Sequence, residues 1–148
     1  EGNLGLRISD ILSLRLSDIV RDGDRYRLEI TEQKTKKKRV FTVPLVIQQY
    51  IENYCLRNGI GKNEKIFDLT ERAISKQLAL VCDYLGFEGI GTHSFRKWYA
   101  TEIYKNNGYD ITLVQRLLQH SSAAITQRYI GIEPQRIEEA IEGHAQLL

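Results

Sequence analysis

The sequence predicts an α+β fold, mainly helical, with a small antiparallel β-hairpin or sheet near the N-terminus. Three observations carry this. Apolar residues recur at helical spacing in most segments after residue 45. Two earlier stretches, Tyr26-Leu28-Ile30 and the run Val40–Val43, alternate with period two. Between them lies KTKKKR, residues 34–39, in which five of six side chains are cationic, as the tip and return of the hairpin.

Taken in order, SDILSLRLSDI places Ile11, Leu12, Leu14, Leu16 and Ile19 in a short amphipathic helix that runs into a turn. DGDRYRLEIT opens on turn residues and becomes the first strand, and RVFTVPL is the second, ended by Pro44. VIQQYIENYCLRNG spaces Ile47, Tyr50, Ile51, Tyr54 and Cys55 helically and stops at Gly59. ERAISKQLALVCDYLGF carries Ile74, Leu78, Val81, Cys82 and Leu85. SFRKWYATEIYKNNG offers Ser94 as N-cap and Gly108 as stop. DITLVQRLLQH starts at Asp110 and carries Leu113, Leu117 and Leu118 on one side. SSAAITQRYIG is capped by Ser121 or Ser122, and PQRIEEAIEGHAQLL starts near Pro134 with Ile137 and Ile141 on one face.

The 148 residues suit a single domain with a real core. A net charge of +2 selects no partner by itself. No run of 18 apolar residues exists, and the opening EGNLGLR lacks the basic and apolar regions of a secretory signal. The absence of Met and the first residue, Glu1, lead us to expect a piece of a longer chain. Cys55 and Cys82 lack metal-ligand spacing and read as buried free thiols, which suits a reducing cytoplasm.

The side chains that carry chemistry form a set matched to a phosphodiester. A tyrosine hydroxyl is a poor nucleophile near neutral pH unless a neighbour takes its proton. Two arginines can balance the charge that attack builds on the phosphate oxygens. A lysine can protonate a leaving alkoxide, and histidines can move the remaining proton. Candidates are Tyr129 as nucleophile, Arg7 and Arg96 as clamps, His93 and His120 as proton and hydrogen-bond partners, and Lys34 as acid. Taken singly, each has an ordinary reading: a surface arginine, a helix-start His/Arg pair, a loop histidine, a packed tyrosine, a solvated lysine.

Together they resemble a family. LGLRISDILSLRLSDI, EQKTKKKRVFTVPL, THSFRKWYAT and LVQRLLQHSSAAITQRYI, in that order, look like the catalytic domain of tyrosine recombinases, the phage integrase family. Arg7 lies in GLRISD, Lys34 in QKTKK on the hairpin, and His93 and Arg96 form an H-x-x-R pair. His120 lies in LQHS, and Tyr129 follows nine residues later. The resemblance spans roughly residues 4 to 132. Lys36, Lys37 and Lys38 are neighbours that could replace Lys34 in a different register.

The resemblance implies the tyrosine-recombinase catalytic fold, with residues 1–148 a single catalytic domain trimmed at its N-terminus, its first helix and core-binding domain absent. It implies a site-specific recombinase or integrase that breaks and rejoins double-stranded DNA through a 3′-phosphotyrosyl link. Neither ATP, metal nor other cofactor is implied. The sequence agrees, with no GK[ST] P-loop and no cluster of Cys, His or acidic ligands. Lys36, Lys37, Lys38 and Arg39 are expected on the DNA backbone. Expected partners are DNA and other copies of the chain, with the C-terminal segment either docking on a neighbour or packing back. The expected setting is the cytoplasm, at the nucleoid, with no membrane contact. Asp10 is expected to orient Arg7 or cap the site, or else to be an exposed helix acid; Trp98 and Tyr99 are expected to pack in the core, Ser121 and Ser122 to cap a helix, and His144 to lie on the surface. The competing reading is a non-catalytic DNA-binding module, which would not need Tyr129.

Overall fold

The computed structural model describes residues 1–131, 138–139 and 141–143. Its elements are α1 (Ile8–Ile11), a 3-10 turn (Leu16–Asp18), β1 (Ile19–Asp22), β2 (Arg25–Thr31), β3 (Lys38–Val43), α2 (Leu45–Arg57), α3 (Glu71–Leu85), α4 (Thr92–Asn106), α5 (Ile111–Leu118) and α6 (Ala123–Ile130). The fold is α+β and mainly helical, as the sequence predicts. The sheet has three strands in the order β1-β2-β3, both pairs antiparallel. Residues 138–139 and 141–143 are helical. Pro134, Ile137 and His144 lie outside the described residues.

Among the described residues, two apolar cores form. Leu4, Leu6, Leu14, Leu28, Val43, Cys55 and Ile66 join the N-terminal segment, the sheet and α2. Ala100, Tyr104, Val114, Leu118 and Ile130 join α4, α5 and α6. The seam between the two holds the site.

Several expectations are corrected. The segment read as one helix over residues 9–19 breaks after α1. Ser13 donates its hydroxyl to the Asp10 carbonyl (2.8 Å), and the Leu14 carbonyl accepts from Ile66 N–H (2.8 Å) rather than from a helical neighbour. Arg15 pairs with Lys65 in an isolated bridge, so a distant segment takes the backbone groups a helix would have used. Ile19 then begins β1, a strand whose four residues are too few for alternation to reveal.

Helix α4 starts two residues before Ser94. The Ser94 hydroxyl sits in the first turn and accepts the Gly91 N–H (3.1 Å), so His93 lies on the helix rather than before it. On α5, Val114 and Leu118 are the buried residues, not Leu113 and Leu117. Trp98 is 57% exposed rather than packed in the core, and Tyr99 is half-buried against Gly5.

Other readings hold. Asp110 caps α5 by accepting Thr112 N–H (2.8 Å) and Leu113 N–H (3.0 Å), and Ser122 caps α6 by accepting Ile125 N–H (3.3 Å). Cys55 and Cys82 are buried free thiols. Among the described residues, no helix is long and apolar enough to cross a membrane.

Candidate active site

Arg7 is placed by its neighbours. Its backbone is extended at the start of α1, and Leu6 and Ile8 on either side are buried in the core. Alternation along extended backbone turns the intervening side chain the other way. There its Nη1 meets Glu32 Oε2 at 2.6 Å, with the Arg7 side chain 17% exposed.

Glu32 is fully buried where β2 ends. Its Oε2 also accepts the Thr35 hydroxyl (2.7 Å), and its Oε1 accepts from Arg39 at 3.4 Å. Burial alone would raise its pKa, but the Thr35 hydroxyl and the Arg7 guanidinium outweigh that and hold it below the ordinary value. Asp10, 1% exposed, accepts Gln33 N–H through Oδ1 at 2.8 Å. Its Oδ2 is buried without a hydrogen-bond partner among the described residues. The turn after β2 is closed by Glu32 N–H to Lys37 O (2.9 Å) and Lys36 N–H to Glu32 O (3.0 Å). Lys34 stands exposed on this turn.

Arg96 projects from α4 and is 2% exposed. Its Nη1 donates to the Gly5 carbonyl and its Nη2 to Leu118 O (3.1 Å). Burial first, then the charges of Arg7 and Arg39, pull its pKa down to about 10, which still leaves it a cation at neutral pH. Gly5 has φ +58°, and a Cβ there would collide with the Tyr99 ring, so a side chain at this position is excluded twice over.

Arg39 departs from expectation. Placed with the lysines as a DNA contact, it is 3% exposed and faces inward. Its guanidinium donates to Leu117 O (2.6 Å) and Gly5 O (3.3 Å), pairs with Glu32 and lies 4.8 Å over the Phe41 ring. Arg39 and Arg96 therefore tie the N-terminal segment to the last carbonyls of α5, across the two cores. Lys36, Lys37 and Lys38 are exposed.

His120 follows the left-handed residue Gln119 (φ +56°), which ends α5. Its Nδ1 lies 3.0 Å from the buried Thr126 Oγ1. The Thr126 hydroxyl also reaches Ser122 O (3.4 Å); when it donates there it accepts from an Nδ1–H, and that tautomer leaves the Nε2 lone pair to act as acceptor. Burial, with Arg96 and Arg7 adding to it, lowers the His120 pKa. Its ring meets Tyr129 edge to face, centroids 5.4 Å apart. Tyr129 is half-buried and its hydroxyl oxygen is buried; Arg96 lies near it, but among the described residues no group meets hydrogen-bond geometry with it. Burial raises its pKa, while Arg96 pulls the other way.

Arg7, Arg96, His120 and Tyr129 thus share one seam. His93 is exposed in the first turn of α4, and Lys34 is exposed on the β2–β3 turn. Among the described residues neither side chain makes a hydrogen bond, and the other four are held by their surroundings, Glu32, the Gly5 and Leu118 carbonyls and Thr126, rather than by bonds to one another. The guanidiniums of Arg7, Arg39 and Arg96 outnumber the carboxyl groups that act on them, Glu32 and, beside Arg96, Glu1, which leaves the seam suited to an anion. Sequence reasoning missed Glu32, Thr126, Gly5 and the inward turn of Arg39. Glu32 had one visible sign, as the acid heading a cationic run; Thr126 and Gly5 had none.

The phage integrase family model matches residues 3–136. The chain is 37% identical over 139 residues to the probable integrase/recombinase YoeC of Bacillus subtilis, covering 88% of this chain and 73% of that protein. It is 28% identical over 146 residues to tyrosine recombinase XerA of Pyrococcus furiosus, covering 93% of this chain and 50% of the relative. Among solved structures, XerH site-specific recombinase bound to palindromic difH substrate aligns with TM-score 0.72 at 25% identity, over 94% of this chain and 42% of that one. The catalytic domain of bacteriophage HP1 integrase shares the fold with TM-score 0.62 at 22% identity, over 94% of this chain and 74% of that one. With its fold, its seam of arginines around a phenol and these likenesses in agreement, the chain belongs to the phage integrase family, among the tyrosine recombinases.

Proposed function

We propose that residues 1–148 act as the catalytic domain of a site-specific DNA recombinase or integrase, working through a 3′-phosphotyrosyl intermediate. The observation that carries this reading is the shared seam of Arg7, Arg96, His120 and Tyr129, rich in guanidinium charge and holding a buried phenol oxygen with no hydrogen bond among the described residues. Tyr129 Oη attacks the phosphorus, and the bond from phosphorus to the 5′ oxygen breaks. The phenol proton passes to a histidine; His120 suits this, since its surroundings favour the neutral ring, and with its own proton on Nδ1 toward Thr126 it accepts through Nε2. Lys34 gives a proton to the departing 5′ oxygen. Arg7 and Arg96 balance the charge that builds on the non-bridging oxygens. His93, one helical turn before Arg96, assists phosphate binding and proton transfer. A 5′-hydroxyl from a second strand then reverses the step, and the phosphotyrosyl bond conserves the energy, so neither nucleotide nor metal enters.

The partner is double-stranded DNA, by likeness to the difH-bound XerH relative. Lys36, Lys37 and Lys38 meet its backbone and make affinity fall as salt rises. Other copies of the chain complete a synapse, with the C-terminal segment as one contact between them. The setting is the cytoplasm, at the nucleoid.

The test is incubation of the protein with a nicked suicide duplex, followed by a denaturing gel. The expected result is a covalent protein–DNA band that disappears in Tyr129→Phe. A salt-sensitive mobility shift with no covalent band, in the parent and in Tyr129→Phe alike, would identify a binding module instead.

A further inference from the structure

The turn that carries Lys34 is tied to the arginine side of the seam at both residues flanking the lysine. Gln33, just before it, donates its N–H to buried Asp10 on α1 (2.8 Å). Thr35, just after it, donates its hydroxyl to Glu32 Oε2 (2.7 Å). The same oxygen receives Arg7 Nη1 at 2.6 Å. One buried carboxylate oxygen is therefore the shared acceptor for the phosphate-clamping arginine and for the turn that presents the acid.

We propose that Glu32 is a positioning residue, coupling Arg7 to the Lys34 turn through Oε2 so that phosphate engagement and leaving-group protonation are set together. The proposal rests on the roles given to Arg7 and Lys34 above. The bond lengths favour it over simple neutralisation of Arg39. Arg39 is held at 3.4 Å by the other oxygen and has a shorter bond, 2.6 Å, to Leu117 O. Both close contacts of Glu32 go to the arginine and the turn. A fully buried anion keeps those partners in one geometry because any departure leaves its charge unpaired.

The coupling makes a prediction that packing alone does not. Glu32→Gln keeps the shape and removes the charge. Its DNA affinity should stay within about twofold while the cleavage rate falls roughly tenfold to a hundredfold, as expected for misplaced catalytic groups. A duplex with sulfur in place of the bridging 5′ oxygen has a leaving group that needs no proton. Loss that acts through Lys34 should largely vanish on it, while loss from a disturbed fold should not. Thr35→Val, at an exposed residue, removes the turn's bond to Oε2 (2.7 Å) together with the longer Lys37 N–H bond to the same hydroxyl (3.3 Å), and should show the same selective rescue even if Glu32→Gln fails to fold. Unchanged oxygen-substrate cleavage, or equal losses on both substrates in Thr35→Val, overturns the proposal. Lys34→Met separates the two levels. If it is rescued by sulfur while Glu32→Gln and Thr35→Val are not, the coupling alone fails. If Lys34→Met cleaves both duplexes like the parent, the lysine assignment fails and the coupling falls with it.

Discussion

Replacing Arg39 by Met tests whether the cationic run is a single DNA-facing surface or is divided between surface and interior. Arg39 is 3% exposed, so its guanidinium is removed from the interior rather than from water. The consequences differ for each partner. Glu32 keeps Arg7 and Thr35, and the Gly5 carbonyl keeps Arg96. The Leu117 carbonyl loses its 2.6 Å charged donor, and the contact over Phe41 at 4.8 Å is lost as well. An orphaned acceptor of this kind costs about 1–3 kcal/mol. The cation–π contact adds about 0.5–1 kcal/mol, for a total near 3 kcal/mol. For a chain of this size that corresponds to a fall in melting temperature of roughly 6–12 °C. Lys38→Met, one residue away and exposed, should stay within about 0.5 kcal/mol of the parent. The second measurement is the salt dependence of DNA affinity, where each lost phosphate contact flattens the log–log slope by about 0.9. Arg39→Met should leave that slope unchanged, and Lys38→Met should flatten it. An Arg39→Met protein with parental stability and a slope flatter by about one unit would refute the inward assignment.

Gly5→Ala and Gly23→Ala form a matched pair, with φ of +58° and +61°, but only Gly5 faces a ring that a Cβ would strike. Gly23→Ala should cost about 1 kcal/mol of backbone strain, and Gly5→Ala at least twice that, read from urea midpoints; equal costs would mean that the Tyr99 contact is unimportant. Acidification should destabilise the fold in two windows. The folded His120 pKa lies below the 6.5 of an unperturbed ring, so the unfolded chain takes the proton first and stability declines as pH drops below that value. Glu32 is lowered from 4.5, so its contribution is complete above that value and is lost below it. His120→Gln should flatten the upper window and leave the lower one, in urea midpoints taken across the acid range.

The sequence by itself determined what depends on local chemistry. Asp110 and Ser122 mark helix starts because short polar side chains satisfy free N–H groups nearby, and helical apolar spacing identified α2 through α6. It also supplied the family, because motifs around Arg7, His93, Arg96, His120 and Tyr129 stand in order at matching spacing. Only the tertiary structure decided the rest. The periodicity over residues 9–19 lost to pairing of Leu14 and Arg15 with Lys65 and Ile66, a segment some fifty residues away. Nothing in KTKKKR distinguishes Arg39 from its neighbours; strand pleating turned it inward, where carbonyls of Gly5 and Leu117 waited. Glu32 likewise became the hub of the seam through partners at positions 7, 35 and 39, which meet only because β2 and β3 return against α1. Backbone periodicity and capping are properties of neighbouring residues, whereas the pairing of buried charge depends on which distant groups the fold brings within hydrogen-bond reach.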